Sequence, residues 1–348
     1  MATLSQTSEI SKKTFVGGLI VVGLIFLSIL TFRFGLTLKN MLFPAPPPAS
    51  TVAFGKIPKL DISEGVNPPE KIDYKVETIT GELPKLAHEI KVFKIDFPRP
   101  SFGDLERTKA HVAGADYSKE PESVTERTAT FRNSSNPDYV LTINITSGNF
   151  IMGSNYLNKK ELETAKQAST DRAVEIARSF LNSLRVDFSS INGKDPKTQL
   201  LKFEDGTLDE SASLSSVNFI KVLFLRLPID EVKVISPRLD TAPIWALVSP
   251  IDVVEAQVTM LDIKKHKFAT YPLKSVTKAF EELKNGKAAL NKEIEGMVFP
   301  IRDIEIVYLE TETYQQFLQP VYLFKSDNNL AAYVPAVDEN WIRASATD

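Results

Sequence analysis

The chain of 348 residues contains no cysteine, which removes disulfides, thiolate zinc sites, thiol nucleophiles and a lipidated N-terminal cysteine in any redox compartment. Histidine is nearly as scarce: His88, His111 and His266 are the three in the chain. None has a second histidine or a carboxylate at metal-binding spacing, and HExxH is absent, so satisfied or solvent-facing histidines are expected rather than ligands. There are 15 glycines against 21 prolines, which leaves little of the flexible backbone that phosphate-cradling loops need. GxSxG is absent, and GKDPKT at Gly193 lacks the phosphate-loop spacing. A net charge of −3 supplies no basic field, so no nucleic-acid partner is expected.

What is present begins with an uncharged apolar run from Thr14 to Phe32, which as a helix covers about 28 Å at roughly 1.5 Å per residue. Its apolar character resumes after Arg33, and the spacing predicts a transmembrane helix over residues 14–38 in contact with the lipid bilayer. A cleaved signal peptide is the competing reading, but its apolar region is about 7 to 15 residues, and no small-x-small site follows closely. Lys12 and Lys13 before the run are balanced by Arg33 and Lys39 after it. The free α-amino group tips the balance toward a cytoplasmic tail at residues 1–13 and an extracytoplasmic C-terminal domain. The span lacks GxxxG spacing, so helix dimerisation by that route has no support. Pro44, Pro46, Pro47 and Pro48 favour an extended spacer, and residues 39–60 are predicted as a Pro-rich linker.

At about 150 residues per domain, the remaining length suits two domains. Tyr74–Thr80 and His88–Phe97 read as a strand pair, and Ser101 as the cap of a helix from Phe102 to Ala113. Glu126–Arg132, Tyr139–Thr146 and Asn149–Met152 read as a meander around turn-rich NSSNP and Ser147-Gly148. Ala173, Ile176, Ala177, Phe180 and Leu184 recur at helical spacing over Thr170–Leu184. Val217–Leu227 is apolar on both faces and reads as a central strand. Val254–Ile263 and Lys267–Leu273 are predicted as a hairpin across KKH, followed by a helix over Val276–Lys284 that stops at Asn285-Gly286. Ile301–Leu309, Pro320–Ser326 and Leu330–Val337 read as the last strands, with DNN at 327–329 as a turn.

The heptapeptide SxxRAVE at Ser169–Glu175 matches SxxKAFE at Ser275–Glu281. Each follows a predicted hairpin ending at Tyr156 or Tyr271. The expected fold class is therefore α+β: after the transmembrane helix, two related modules of antiparallel sheet with packed helices, at residues 61–192 and 193–348.

The stretches YPLKSVTKAFEELKNGKAAL, IVYLE, LQPVYLFKS and AAYVPAV, with the hairpins and helices before them, resemble the membrane-anchored YycH/YycI regulators of sensor kinases and, more loosely, PepSY-type modules. The resemblance covers about residues 250–340, and 90–185 faintly. It rests on apolar positions rather than a chemical motif. It implies action through protein contacts, with no catalytic set to transfer.

The chemistry-bearing residues point the same way. Glu204-Asp205 and Asp209-Glu210 offer acid–base pairs of the kind glycosidases use, but they sit in polar, turn-like stretches. Asn133 and Asn144 fit the N-x-S/T sequon, and SDNN at 326–329 is too short for a Ca²⁺ loop. Tyr314, Phe317, Tyr322, Phe324, Tyr333 and Trp341 are weighed as a binding surface, with half expected in the core. No catalytic, metal, cofactor-binding or partner-binding residue is assigned, and no cofactor is expected. The expected function is a single-pass, extracytoplasmic, non-enzymatic protein acting by protein or ligand binding, regulatory at the cell envelope, with a membrane or envelope protein as partner. The alternatives are a structural component of a pilus or secretion platform and an envelope hydrolase.

Overall fold

The computed structural model describes residues 26–34, 49–167 and 169–343. The described residues divide into two units, before and from residue 50. In the first, residues 26–34 are helical (α1). Among the described residues no helix is long and apolar enough to cross a membrane. The predicted span at 14–38, with the single-pass topology, membrane localisation and cytoplasmic N-terminus built on it, is corrected accordingly. Residues 1–25 and 35–48, on which most of that expectation fell, lie outside the described residues.

The second unit opens with β1 (Asp73–Val76), β2 (Glu89–Asp96), β3 (Ser123–Val124), β4 (Thr128–Arg132), β5 (Val140–Asn144) and β6 (Phe150–Gly153). It continues with β7 (Lys197–Glu204), β8 (Thr207–Glu210), β9 (Phe219–Phe224), β10 (Val234–Ile235), β11 (Ile244–Val248) and β12 (Val253–Val258). The last six strands are β13 (Asp262–Pro272), β14 (Ala289–Leu290), β15 (Val298–Ile301), β16 (Asp303–Leu309), β17 (Phe317–Lys325) and β18 (Ala331–Pro335). The helices of this unit are α2 (Asp104–Val112), α3 (Glu161–Thr164), α4 (Thr170–Ser183) and α5 (Val276–Lys284).

These strands make a nine-stranded sheet in the order β3-β4-β5-β6-β12-β11-β9-β7-β8, a seven-stranded sheet and a parallel pair, β1 with β15. In the seven-stranded sheet β10, β16, β17, β18 and β14 lie in order, and β2 joins the start of β17 to β13. The described fold is thus mostly β-sheet. The expected α+β division into modules at 61–192 and 193–348 does not describe it, because β3–β6 and β7–β12 lie in one sheet. The predicted linker also shrinks. Ile57 and Leu60 are buried, the Ile57 N–H donates to Trp341 O, and the Tyr271 hydroxyl donates to Gly55 O.

Local patterns held where neighbouring residues decide the geometry. β4, β5 and β6 form the expected antiparallel meander, and β9 sits inside its sheet with only Lys221 not fully buried. Lys221 turns its ammonium over the Trp245 ring, 4.3 Å from the centroid. α4 buries Ala173, Ala177 and Leu181 at four-residue spacing, small enough for close approach to β9, β11 and β12. α5 buries Val276, Ala279 and Leu283 over Tyr322, Phe324, Ala332 and Val334. The turn from β17 to β18 places Asn328 and Asn329 in the left-handed region, which asparagine tolerates.

Long-range pairings differ from expectation. The predicted partners Tyr74–Thr80 and His88–Phe97 diverge: β1 pairs with β15, and β2 with β13 and β17. Nor is there a hairpin across KKH. β12 joins β6 and β11, whereas β13 crosses to the other sheet, where residues 264–267 bulge opposite Lys94 while Ile263 pairs with Ile95 and Phe268 with Phe93. The bulge lets the basic KKHK stretch avoid the alternation that would bury half of it. The second copy of the suspected repeat therefore lacks the hairpin of the first.

The helix starts do match. The Ser169 hydroxyl accepts from Arg172 N–H, and the Ser275 hydroxyl accepts from Lys278 N–H, each at 3.1 Å. Ser169→Ala and Ser275→Ala are each expected to cost about 1 kcal/mol in urea unfolding, and glycine at either position only a few tenths. By contrast α2 does not use the predicted Ser101 cap. Left-handed Gly103 occupies the cap position, and the Asp104 carboxylate accepts from Ser101 N–H at 2.7 Å.

Candidate functional site

A cleft of about 960 Å³ opens where the two large sheets meet. One wall comes from the nine-stranded sheet and its helices, through His111, Asn144, Arg185 and Val258. The other comes from Asp96 and Phe97 at the end of β2 and from Glu312 and Tyr314 between β16 and β17. The floor includes Met260 and Leu261, in the segment that carries the chain from β12 to β13. The strand crossing that replaced the expected hairpin is therefore what creates the cleft.

Its apolar lip is a stacked pair, Phe97 and Tyr314, with ring centroids 4.4 Å apart. Tyr314 is 66% exposed, unlike Phe317, Tyr322, Phe324 and Tyr333 of the aromatic-rich C-terminal region, which are buried. Of the six aromatics weighed from sequence, Tyr314 alone lines the cleft.

The charges in the cleft are unevenly satisfied. Lys267 donates to Asp96 at 2.7 Å and holds its carboxyl below the usual range, and Lys264 lies 2.6 Å from Asp262. Asp187 accepts from the backbone and hydroxyl of Ser189, and Glu312 accepts from the Gln257 amide at 3.1 Å. Arg127, Arg185 and Lys265 also line the cleft. Among the described residues these three cations make no ion pair or side-chain hydrogen bond. His111 is half-buried beside them. Burial, and then the Arg185 guanidinium, lower its pKa, so the ring is held neutral to lower pH than usual.

A buried ion pair whose arginine also lines the cleft joins the sheets. Arg226 follows β9 and Glu310 follows β16, with side chains 4% and 3% exposed. The guanidinium donates from Nε and Nη2 to the two carboxylate oxygens at 2.5 Å. It also donates from Nη1 to Ser190 Oγ at 3.0 Å and from Nη2 to Leu261 O at 3.1 Å. This forked arrangement satisfies most of the guanidinium and anchors the crossing segment.

The residues singled out by sequence lie elsewhere or act structurally. Glu204, Asp205, Asp209 and Glu210 are exposed around the β7–β8 turn, where Lys202 bonds to Glu204 and keeps it ionised. His88 is exposed, and His266 is exposed in the β13 bulge. Asn133 and Asn144 use their Oδ1 atoms to accept backbone N–H groups of their own turns. Among the described residues no group of three or more His, Asp and Glu is placed to hold a metal. Arg226 and Glu310 escaped the sequence reading although each left a trace, a charge at the end of an apolar strand (VNFIKVLFLR and IVYLE).

No family model matches the chain, and no curated protein matches it. Among solved structures, the Bacillus megaterium YpeB C-terminal domain is similar over 70% of this chain and 96% of its own, at 13% identity and a TM-score of 0.32. These comparisons do not confirm the YycH/YycI resemblance, and the YpeB likeness is a weak structural one.

Proposed function

We propose that this chain acts by binding rather than by catalysis, taking a ligand or a segment of another protein into the cleft between its two large sheets in a regulatory role. The observation that carries this reading is the position of the cleft. Its walls come from both sheets, and Arg226 and Leu261 of the buried junction line it. An occupant therefore touches the same groups that set how the sheets pack, which is what a module that converts binding into a change of shape requires.

Site-specific photocrosslinking in the native cell tests this. A photoreactive amino acid at Tyr314, on the lip, is expected to give a discrete covalent adduct. The same group at exposed Ile79, which is outside the cleft lining, is expected to give none. Equal labelling at the two positions, or no adduct at Tyr314, overturns the reading.

A further inference from the structure

We infer that the occupant of the cleft is an acidic peptide segment, whose carboxylates meet Arg127, Arg185 and Lys265 while an aromatic or aliphatic side chain lies against the Phe97–Tyr314 stack. This rests on the binding role proposed above and specifies its partner. The charge argument is one of imbalance. Lys267 and Lys264 neutralise Asp96 and Asp262, and Asp187 and Glu312 are held by neutral donors only, so the three cations, which have no ion pair among the described residues, leave the lining with one positive charge in excess. In a chain whose net charge is −3 this is a local reversal of sign, the arrangement that steers an oppositely charged partner.

The choice of a peptide over a free anion rests on shape and on the apolar walls. The cations come from three separate segments, before β4, after α4 and in the β13 bulge. A volume of about 960 Å³ is near the upper end of small-molecule sites, which run roughly 300–1,000 Å³. Phe97, Tyr314, Val258 and Met260 offer a free phosphate or carboxylate nothing to bind. An extended peptide advances about 3.3 Å per residue and can present carboxylates and apolar groups together. Two of the three cations are arginines, whose planar fork matches a carboxylate with two parallel hydrogen bonds.

The test is fluorescence anisotropy on the full chain with a rhodamine-labelled hexapeptide of four glutamates and two phenylalanines. A second peptide with lysine in place of glutamate, and inorganic phosphate, serve as competitors. Saturable binding of the acidic peptide is expected, weakening as salt is raised, with the dissociation constant increasing about fivefold for each of Arg127→Glu, Arg185→Glu and Lys265→Glu. All three positions are exposed, so the circular dichroism spectrum and thermal midpoint should be unchanged. A second readout is proton NMR of the histidine rings, three in the chain, with His111 assigned through His111→Gln. Peptide binding should move the titration of His111 upward, because an anion beside Arg185 favours the imidazolium.

Binding that survives all three reversals, equal binding of the lysine peptide, or displacement by phosphate as effective as by unlabelled peptide each overturns the inference; the last outcome marks a free-anion site. If the acidic peptide fails to bind while the Tyr314 adduct forms, this inference falls and the binding role stands. Failure of both removes the two together.

Discussion

Replacing Glu310 by alanine or glutamine is expected to lower the stability of the folded chain by about 3–5 kcal/mol, because it strands the buried Arg226 guanidinium between the two sheets. A charge taken out of water without a counter-charge is far more costly than a lost hydrogen bond, and Ser190 Oγ and Leu261 O compensate only part of it. The loss is comparable to the whole stability of a modest domain, roughly 5–15 kcal/mol. The double replacement Arg226→Met with Glu310→Leu is expected to recover most of the loss, since two apolar groups of similar volume need no desolvation of charge. Urea unfolding of the four proteins in a double-mutant cycle measures the coupling. A cost below 1 kcal/mol for Glu310→Ala would show that water reaches the pair. A double variant as unstable as the single ones would show that the guanidinium contacts, rather than the charge pair, hold the junction.

The second large effect lies in the helices. Leu181→Ala and Leu283→Ala are each expected to cost about 2–5 kcal/mol, the range for a buried leucine whose cavity collapses only partly. Both side chains are fully buried, Leu181 between α4 and the nine-stranded sheet and Leu283 between α5 and the seven-stranded sheet. Phe180 and Phe280, which helical periodicity alone marks as equal anchors, are only half-buried at the edges of these contacts. Phe280 lies 6.4 Å from the Phe324 ring, with the Lys284 ammonium 4.8 Å from its own ring centroid, so part of its face is shared with a solvated charge. Truncating either phenylalanine should therefore cost less than truncating the neighbouring leucine. Equilibrium unfolding of the four variants gives the ranking directly, and a larger loss for Phe280→Ala than for Leu283→Ala would reverse the assignment of the helix face.

The sequence by itself determined the elements that close within a few residues. The serines that cap α4 and α5, the apolar stripes of both helices, the β4–β5–β6 meander, the buried run of β9 and the Asn328-Asn329 turn all depend on contacts at short separation or on one residue's own backbone preference. Such contacts leave a periodic trace that can be read without knowing what lies across the chain. Only the tertiary structure decided which strands are neighbours. β2 lies beside β13 and β17, β12 and β13 part company at Thr259, and Arg226 meets Glu310 across 84 positions. The cleft, its stacked aromatic lip and its unpaired cations exist because of that parting. An alternating strand carries the same pattern whichever partner it takes, and the choice is made by which pairing buries the most apolar surface while leaving no buried charge unmatched.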